Sequence, residues 1–516
     1  MIRATLANSA WLAACLPEYR RFRRALGRVR EEQEDVLRAV LRKNEESGFG
    51  RKHAFAAIRT VRDYQQRVAL SDYEAYRAAV NRIAEGHAGV LTAEPVRLFE
   101  PTSGSAGAAK WIPYTQSLQA EFQRGIQAWV ADLFLHNPDL LRGRAYWSVS
   151  PAEDGAYVTR SGIPVGFADD SEYVGGIERK LVQSVMAVPS SVRKVRDMEA
   201  FWRTTARHLA GCPDLRFVSV WNPTFLKLLA DRLPEYCDRA LRDAAPSERH
   251  TRLWPHLRMI SCWTEGNSGA AAGQVADLFP QARVQGKGLI ATEGFISLPW
   301  QASGAAVLAV RSHFLEFLPV DSQDEADATR PQLAHELEDG QRYSVVLTSG
   351  GGLYRYHLGD IVEVLGRERQ CPLVRFVGRK QISDWCGEKL HETHAARVLA
   401  SAFADGKVRP EFAMLACDTE GAAPGYVLYC EAEASKEKMG ELAILVETGL
   451  EENYHYRYAR RLGQLGKLRV FAARDAGESY LAACIARGQR AGNAKPVALD
   501  PRDGWTAKFE GRFVED

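Results

Sequence analysis

The chain has 516 residues, 46% hydrophobic and 26% charged, with a formal net charge of +2. That length leaves room for two or three domains with cores of their own, and the near-neutral balance excludes a bulk electrostatic pull toward nucleic acid or an anionic membrane. The nine cysteines are scattered with no Cys-x-x-Cys pair, which argues against a disulfide framework or a zinc site and for a reducing, cytoplasmic compartment.

No run approaches the roughly 20 apolar residues of a membrane helix. Leu12-Ala13-Ala14-Cys15 looks like a lipoprotein cleavage box, but Asn8, Ser9 and a single basic residue, Arg3, precede it, which makes a poor signal peptide. Residues 10–90 read as helices, with Leu26, Val29, Val36, Leu37, Val40 and Leu41 at helical spacing. The arginines at 20–30 and the acidic run Glu31–Asp35 read as a solvated helix with intrahelical ion pairs. An apolar stretch, Pro95–Phe99, leads into a glycine- and serine-rich loop, and 115–135 is helical, with Phe122, Ile126, Trp129 and Val130 on one face.

From 145 to 310 short apolar runs alternate with helical ones. Residues 217–221, 259–263 and 305–310 read as buried strands, and 222–243 and 268–279 as helices, a pattern of helices flanking a sheet. Residues 313–378 instead show strand-like runs separated by glycine turns, expected to form an antiparallel sheet or barrel, with a polar exposed loop at 321–331. After about residue 380 come a helix at 389–404, strands near 412–417 and 426–433, and a helix near 436–450. The expected fold is therefore α/β: a large N-terminal domain over 1–379, made of α/β layers with an antiparallel β-barrel-like part, and a small α/β domain over 380–516.

Five motifs carry candidate chemistry. Thr102-Ser103-Gly104-Ser105-Ala106-Gly107-Ala108-Ala109-Lys110 can wrap backbone N–H groups around an anion, with hydroxyls and a lysine adding donors and charge. Its natural guest is a triphosphate, although the lysine lies too far past the last glycine for a Walker loop. Thr292-Glu293 places a hydroxyl beside a carboxylate, suited to a phosphate contact plus Mg²⁺, or simply to a helix start. Gly359-Asp360 can present a carboxylate to the two hydroxyls of a ribose, or form an ordinary hairpin turn. Arg379 stands at the inferred domain boundary, and Lys495 on a glycine-flanked loop near the end of the smaller domain. His391-Glu392-Thr393-His394 spaces its histidines by three rather than the four a zinc helix needs, and reads as helix surface.

The order of these motifs resembles the adenylate-forming superfamily. Within it, the stretches Phe99 to Pro113, Lys287 to Pro299, Gly352 to Leu365 with Arg375 to Glu392, and Asn453 to Val470 with Gly488 to Pro496 resemble the acyl-acid amido synthetases, the auxin- and jasmonate-conjugating type. The resemblance implies that Thr102, Ser103, Gly104, Ser105 and Gly107 hold the phosphates of ATP with Lys110 close by. It implies that Thr292 contacts the α-phosphate, Glu293 the Mg²⁺, Asp360 the ribose and Arg379 the nucleotide. Lys495 would bridge carboxylate and α-phosphate during adenylation, and Lys389 matches a further lysine of the second domain, which the family uses as a mobile element. Two positions depart from the family: Leu289 stands where an aromatic residue often stacks on adenine, and Trp129 where plant members carry a substrate-gripping arginine. Trp129 and Ala291 are the candidate acyl-substrate contacts.

The implied activity is an ATP-dependent ligase that converts a small carboxylic acid to acyl-AMP and passes the acyl group to an amine, an amino acid in the enzymes it resembles. The alternatives are an acid–thiol ligase making acyl-CoA, for which Arg457, Arg460, Arg461, Lys467 and Arg469 form a candidate phosphate-binding cluster, and a nucleotide-binding module without turnover.

Overall fold

A computed structural model describes residues 2–101, 110–148, 157–166, 176–195, 197–221, 223–265, 268–320, 330–379, 382–383, 388, 390–420, 424–461, 465–487, 489 and 494–514. Two compact units divide the chain: the larger is built from Met1–Thr102, Ala109–Thr264 and Ala272–Phe376, the smaller chiefly from Val377–Asp516.

The larger unit begins with helices Ile2–Ala25, Val29–Asn44, Val61–Arg67 and Tyr73–Ala84. Local chemistry sets the starts of the last two. Thr60 and Asp63 form a reciprocal capping box, and the Asp72 carboxylate accepts from the N–H groups of Glu74 and Ala75. Arg30–Glu34 and Arg38–Asp35 are intrahelical pairs, but Glu32 and Glu18 both reach Arg311, so part of the acidic run fastens this layer to the sheet behind it.

Four parallel strands form one sheet, in the order Arg144–Trp147, Leu215–Ser219, Met259–Ser261, Arg283–Gln285. Alternate side chains point to opposite faces. Ala145, Phe217 and Met259 join the core that contains helix Gln116–His136, while Tyr146, Val218 and Ile260 pack with Phe201, Leu229 and Trp254 from the helices on the other side. The helical pattern over 222–243 is realised in pieces, Pro223–Arg232, a 3-10 turn Leu233–Tyr236 and Arg239–Arg242, because Pro234 cannot continue an α-helix.

The second sheet has seven strands, in the order Ser297–Pro299, Ala306–Leu308, Cys371–Arg379, Tyr356–Glu368, Arg342–Thr348, Phe314–Pro319, Gln332–Leu333. It is an open sheet, not a closed barrel. The run at 305–310, expected within the alternating α/β region, belongs here: Ala306–Leu308 pairs antiparallel with both Ser297–Pro299 and Cys371–Arg379.

In the smaller unit a five-stranded sheet, Leu499–Asp500, Pro410–Asp418, Gly425–Ala432, Gly466–Arg474, Glu510–Phe513, packs helices Glu392–Asp405 and Lys436–Leu450 over a core that includes Leu399, Leu415, Leu428, Leu442 and Val470. Glu392 is not a surface residue: it is buried and its carboxylate accepts the Ala498 N–H at 3.3 Å.

Candidate functional site

The glycine/serine loop joins two antiparallel strands, Leu98–Pro101 and Trp111–Tyr114, with Pro101 opposite Trp111. Thr102, Ser103, Gly104, Ser105 and Gly107 lie outside the described residues. Lys110, at the base of the hairpin, holds its ammonium 5.6 Å over the Tyr73 ring, and the Trp111 N–H donates to the Tyr73 hydroxyl at 2.8 Å. Helix Tyr73–Ala84 therefore anchors the strand that leaves the loop.

Thr292 and Glu293 are the two turn residues of a short hairpin, with Ile290–Ala291 paired to Gly294–Phe295. Neither starts a helix. Glu293 is 5% exposed. The hairpin is keyed to helix Gln116–His136 by close approach: a Cβ on Gly125 would stand 2.5 Å from the Phe295 ring. It is also braced from below. The Phe295 N–H donates to His313 Nε2 at 2.9 Å. Since a backbone N–H can only donate, the imidazole proton belongs on Nδ1, which lies 2.9 Å from Glu121 Oε2, off the line of a good hydrogen bond but well within ion–dipole range. Glu121 in turn accepts the Gly350 N–H at 3.0 Å, and Thr115, the cap of the same helix, donates to the Gly350 carbonyl at 2.9 Å. Ala291, Thr292 and Glu293 thus stand together on one braced turn. Leu289, just before it, is buried in the core.

Asp360 does not sit in a hairpin turn. It lies within the long strand Tyr356–Glu368, opposite Arg342–Thr348, where the register passes from Val346↔His357 to Ser344↔Ile361. One residue, Val345, faces three, Leu358, Gly359 and Asp360. Gly359 takes φ +77°, a conformation glycine adopts without cost. Bulges of this kind re-aim a side chain, and here the bulged aspartate is 2% exposed. The residues before it are structural. Arg355 takes φ +51°, a costly region for an arginine. It is held there by a bidentate pair with Glu316, at 3.0 and 3.1 Å, and by bonds to the carbonyls of Gln65 and Val68. Tyr354 donates to the Leu91 carbonyl at 2.8 Å.

Trp129 is buried, 6.2 Å from Trp147 and 6.3 Å from Phe217. Its ring faces a residue that motif reading did not single out. Lys287 is 6% exposed, donates to Ser219 Oγ at 2.7 Å and to Ser261 Oγ at 3.4 Å, and holds its ammonium 5.5 Å from the Trp129 ring and 5.0 Å from that of Trp221. Burial pushes the ammonium pKa down to about 7, against a small opposing effect from the Cys262 thiol. A lysine two residues beyond the strand Arg283–Gln285 was the available signal.

Arg379 ends the strand Cys371–Arg379; Lys389 lies outside the described residues. Lys495, in the smaller unit, is half-buried, and its carbonyl accepts the Tyr480 hydroxyl at 2.6 Å. No cluster of three His, Cys, Asp or Glu side chains suited to a metal occurs among the described residues.

Three family models match the chain in order: the GH3 family N-terminal domain over residues 18–245, the central domain over 306–379 and the C-terminal domain over 393–499. The chain belongs to the GH3 family. Among GH3 relatives, a human GH3 domain-containing protein is 28% identical over 244 residues, which is 45% of this chain and 46% of that protein. The chain spans about half the length of several of the curated relatives it matches. A rice protein described as a probable indole-3-acetic acid-amido synthetase, GH3.4 (Oryza sativa subsp. japonica), is 25% identical, with 91% of this chain and 86% of that protein covered. Among solved structures, the AtGH3.15 acyl acid amido synthetase in complex with 2,4-DB superimposes with a TM-score of 0.79 at 18% identity, covering 95% of this chain and 94% of that one. A 2-hydroxyisobutyryl-CoA ligase in its postadenylation state reaches 0.50 at 12% identity, covering 85% of each chain. These structures share the mixed α/β fold.

Proposed function

We propose that this GH3 chain is an ATP-dependent acyl-acid amido synthetase. A carboxylate oxygen of the acid attacks the α-phosphate of ATP and pyrophosphate leaves. An amine, best an amino acid, then attacks the acyl carbon, loses a proton and expels AMP. The observation that carries this reading is the pair of carboxylates the fold keeps at low exposure inside the two nucleotide motifs: Glu293 on a braced hairpin turn beside Thr292, and Asp360 on a bulge. The names of the relatives support it.

Glu293 offers one hard oxygen donor, and Mg²⁺ is commonly held by one or two carboxylates together with substrate phosphates, so the donor set fits that ion. When bound, Mg²⁺ offsets charge on the phosphate oxygens. The chain's own work is positioning and charge stabilisation. Thr292 is assigned to the α-phosphate, Asp360 to the ribose hydroxyls, and Lys110 with the loop Thr102–Gly107 to the other phosphates. Arg379 and Lys389 are assigned to the nucleotide, and Lys495 to the charge that develops during adenylation. Trp129 and Ala291 are assigned to the acid, and the division at 379/380 to the boundary between an adenylation domain and a C-terminal domain.

The described part of the basic cluster disfavours coenzyme A. Arg460 is paired with Glu447 at 2.6 Å, Arg469 with Asp418 at 3.0 Å, and Arg457 bonds the Glu451 carbonyl, so these guanidinium groups are committed within the fold. Acid-dependent pyrophosphate exchange over a panel of carboxylic acids, followed by mass spectrometry of products formed with amino acids or with coenzyme A, tests the proposal. Amide plus AMP is expected; acyl-CoA with no amide from any amino acid overturns it in favour of a thiol ligase.

A further inference from the structure

Lys287 is expensive to keep. Moving an ammonium out of water costs several kcal/mol unless a counter-charge and hydrogen bonds replace the lost hydration. Here one hydroxyl is at firm bonding distance and a second at the limit, and no carboxylate pairs with the ammonium among the described residues. Two tryptophan faces supply the rest.

Its place in the sheet is specific. Ser219, Ser261 and Gln285 are aligned across three parallel strands. Two residues further on, each chain leaves the sheet at its carboxyl edge, and those positions are Trp221, Trp263 and Lys287. Trp221 and Trp263 are half-buried, with ring centroids 6.0 Å apart, and the Trp263 N–H donates to the Trp221 carbonyl at 2.9 Å. Trp129 and Trp221 both present their rings to the one ammonium, and Trp263 stands beside Trp221. In open α/β sheets the carboxyl edge is where ligands bind, and pockets of this kind are apolar with a few placed polar groups.

We propose that Lys287 is a specificity-determining residue of the acyl-acid site, its ammonium receiving an anionic or strongly hydrogen-bond-accepting group that an aromatic acid carries away from its reacting carboxylate. This rests on the amido synthetase reading, which sends the reacting carboxylate to the Thr292 turn and leaves Lys287 for the far end of the acid. An incoming anion supplies the missing counter-charge, and the tryptophan faces take the ring.

The test uses the full chain, with phenylacetate and 4-carboxyphenylacetate as probes, in wild type, Lys287→Met and Lys287→Gln; the glutamine variant keeps a donor for Ser219 without the charge. Binding is read from quenching of tryptophan fluorescence, turnover from pyrophosphate exchange, and folding from thermal unfolding. Wild type is expected to bind the 4-carboxy acid at least tenfold more tightly than phenylacetate, and both variants to bring that ratio near one. A wild-type ratio near one, or a ratio that survives in both variants, overturns the proposal. Exchange with an acid whose binding ignores Lys287 leaves the amido synthetase reading standing without it. A Lys287-dependent ratio with no exchange for any acid upholds the Lys287 site and removes the adenylation reading.

Discussion

His313 and Glu121 meet beneath the Thr292–Glu293 turn, Nδ1 to Oε2 at 2.9 Å, both essentially buried. The histidine comes from the segment before strand Phe314–Pro319 and the glutamate from the first turns of helix Gln116–His136. The pair therefore ties the helix to the hairpin through the Phe295 N–H, and the hairpin to the Gly350 backbone through the carboxylate. Rigid support of this kind lets a two-residue turn hold a hydroxyl and a carboxylate in fixed geometry.

His313→Ala strands the buried Phe295 N–H, and an unsatisfied buried donor costs about 1–3 kcal/mol. The variant is expected to lose that much in urea unfolding and to lose pyrophosphate exchange by a larger factor than its stability loss explains at room temperature, because the turn is no longer held. Full exchange activity in a destabilised protein would confine the pair to a packing role.

Asp360→Ala tests the bulge. Loss of a charged hydrogen-bond acceptor for the ribose should raise the KM for ATP by the equivalent of about 1.5–3 kcal/mol. Gly359→Ala is the companion change. No atom lies within 4 Å of the added Cβ, so the substitution acts only through the left-handed backbone, at about 1–2 kcal/mol. A raised ATP KM in both variants is expected; a kinetically normal Asp360→Ala protein removes the ribose assignment.

Much of the fold was legible because its signals are local. The buried strand runs and the shift to glycine-punctuated strands after residue 313 each follow from a few neighbouring residues. What escaped depends on partners distant in sequence. The run at 305–310 reads as a buried strand, yet nothing local says that it joins Ser297–Pro299 and Cys371–Arg379 instead of the parallel sheet. The helix read over 222–243 is broken at Pro234, which cannot continue it. At the candidate site, the Thr-Glu and Gly-Asp motifs stand out as residue types, but that one is a hairpin turn and the other a mid-strand bulge depends on pairing. The His313–Glu121 brace joins residues with no periodic relation, and Lys287 is conspicuous only once its burial is known.

Arg355 and Glu316 supply a stability prediction. Arg355→Ala leaves a carboxylate at 1% exposure without its guanidinium, and breaking such a pair costs about 3–5 kcal/mol. Replacing both, as Arg355→Met with Glu316→Met, should recover much of that loss, since the uncompensated charge is gone. Equal destabilisation of the single and double variants in urea melts would show that the bonds to the Gln65 and Val68 carbonyls, not the ion pair, hold this corner.

Lys495→Ala separates the half-reactions. If Lys495 neutralises charge during adenylation, the variant should lose acid-dependent pyrophosphate exchange while retaining ATP binding, and should form amide from supplied acyl-AMP better than it adenylates. Unchanged exchange removes the assignment.

Lys287 makes stability depend on pH with a definite sign. Its ammonium titrates near 7 in the fold and near its ordinary 10.5 once unfolded. Below pH 7 both states are charged and the burial penalty is fully felt; between 7 and 10.5 the unfolded chain binds the extra proton, so this residue's contribution to unfolding free energy rises with pH; above 10.5 it levels off. The whole displacement is worth about 5 kcal/mol. The titratable neighbour acting on it among the described residues is the Cys262 thiol, itself pushed up to about 12 by burial and so neutral across the window. Lys287→Met removes the titration but also leaves Ser219 without its donor, so the informative quantity is the change in the mutant–wild-type difference, not its absolute size. That difference, measured by urea unfolding at several pH values from 6.5 to 9.5, should move in favour of wild type by about 1.4 kcal/mol per pH unit once the pH is above 7. A difference that stays flat over that range would mean that the Lys287 ammonium keeps an ordinary affinity for its proton, with a counter-charge supplied from elsewhere in the chain.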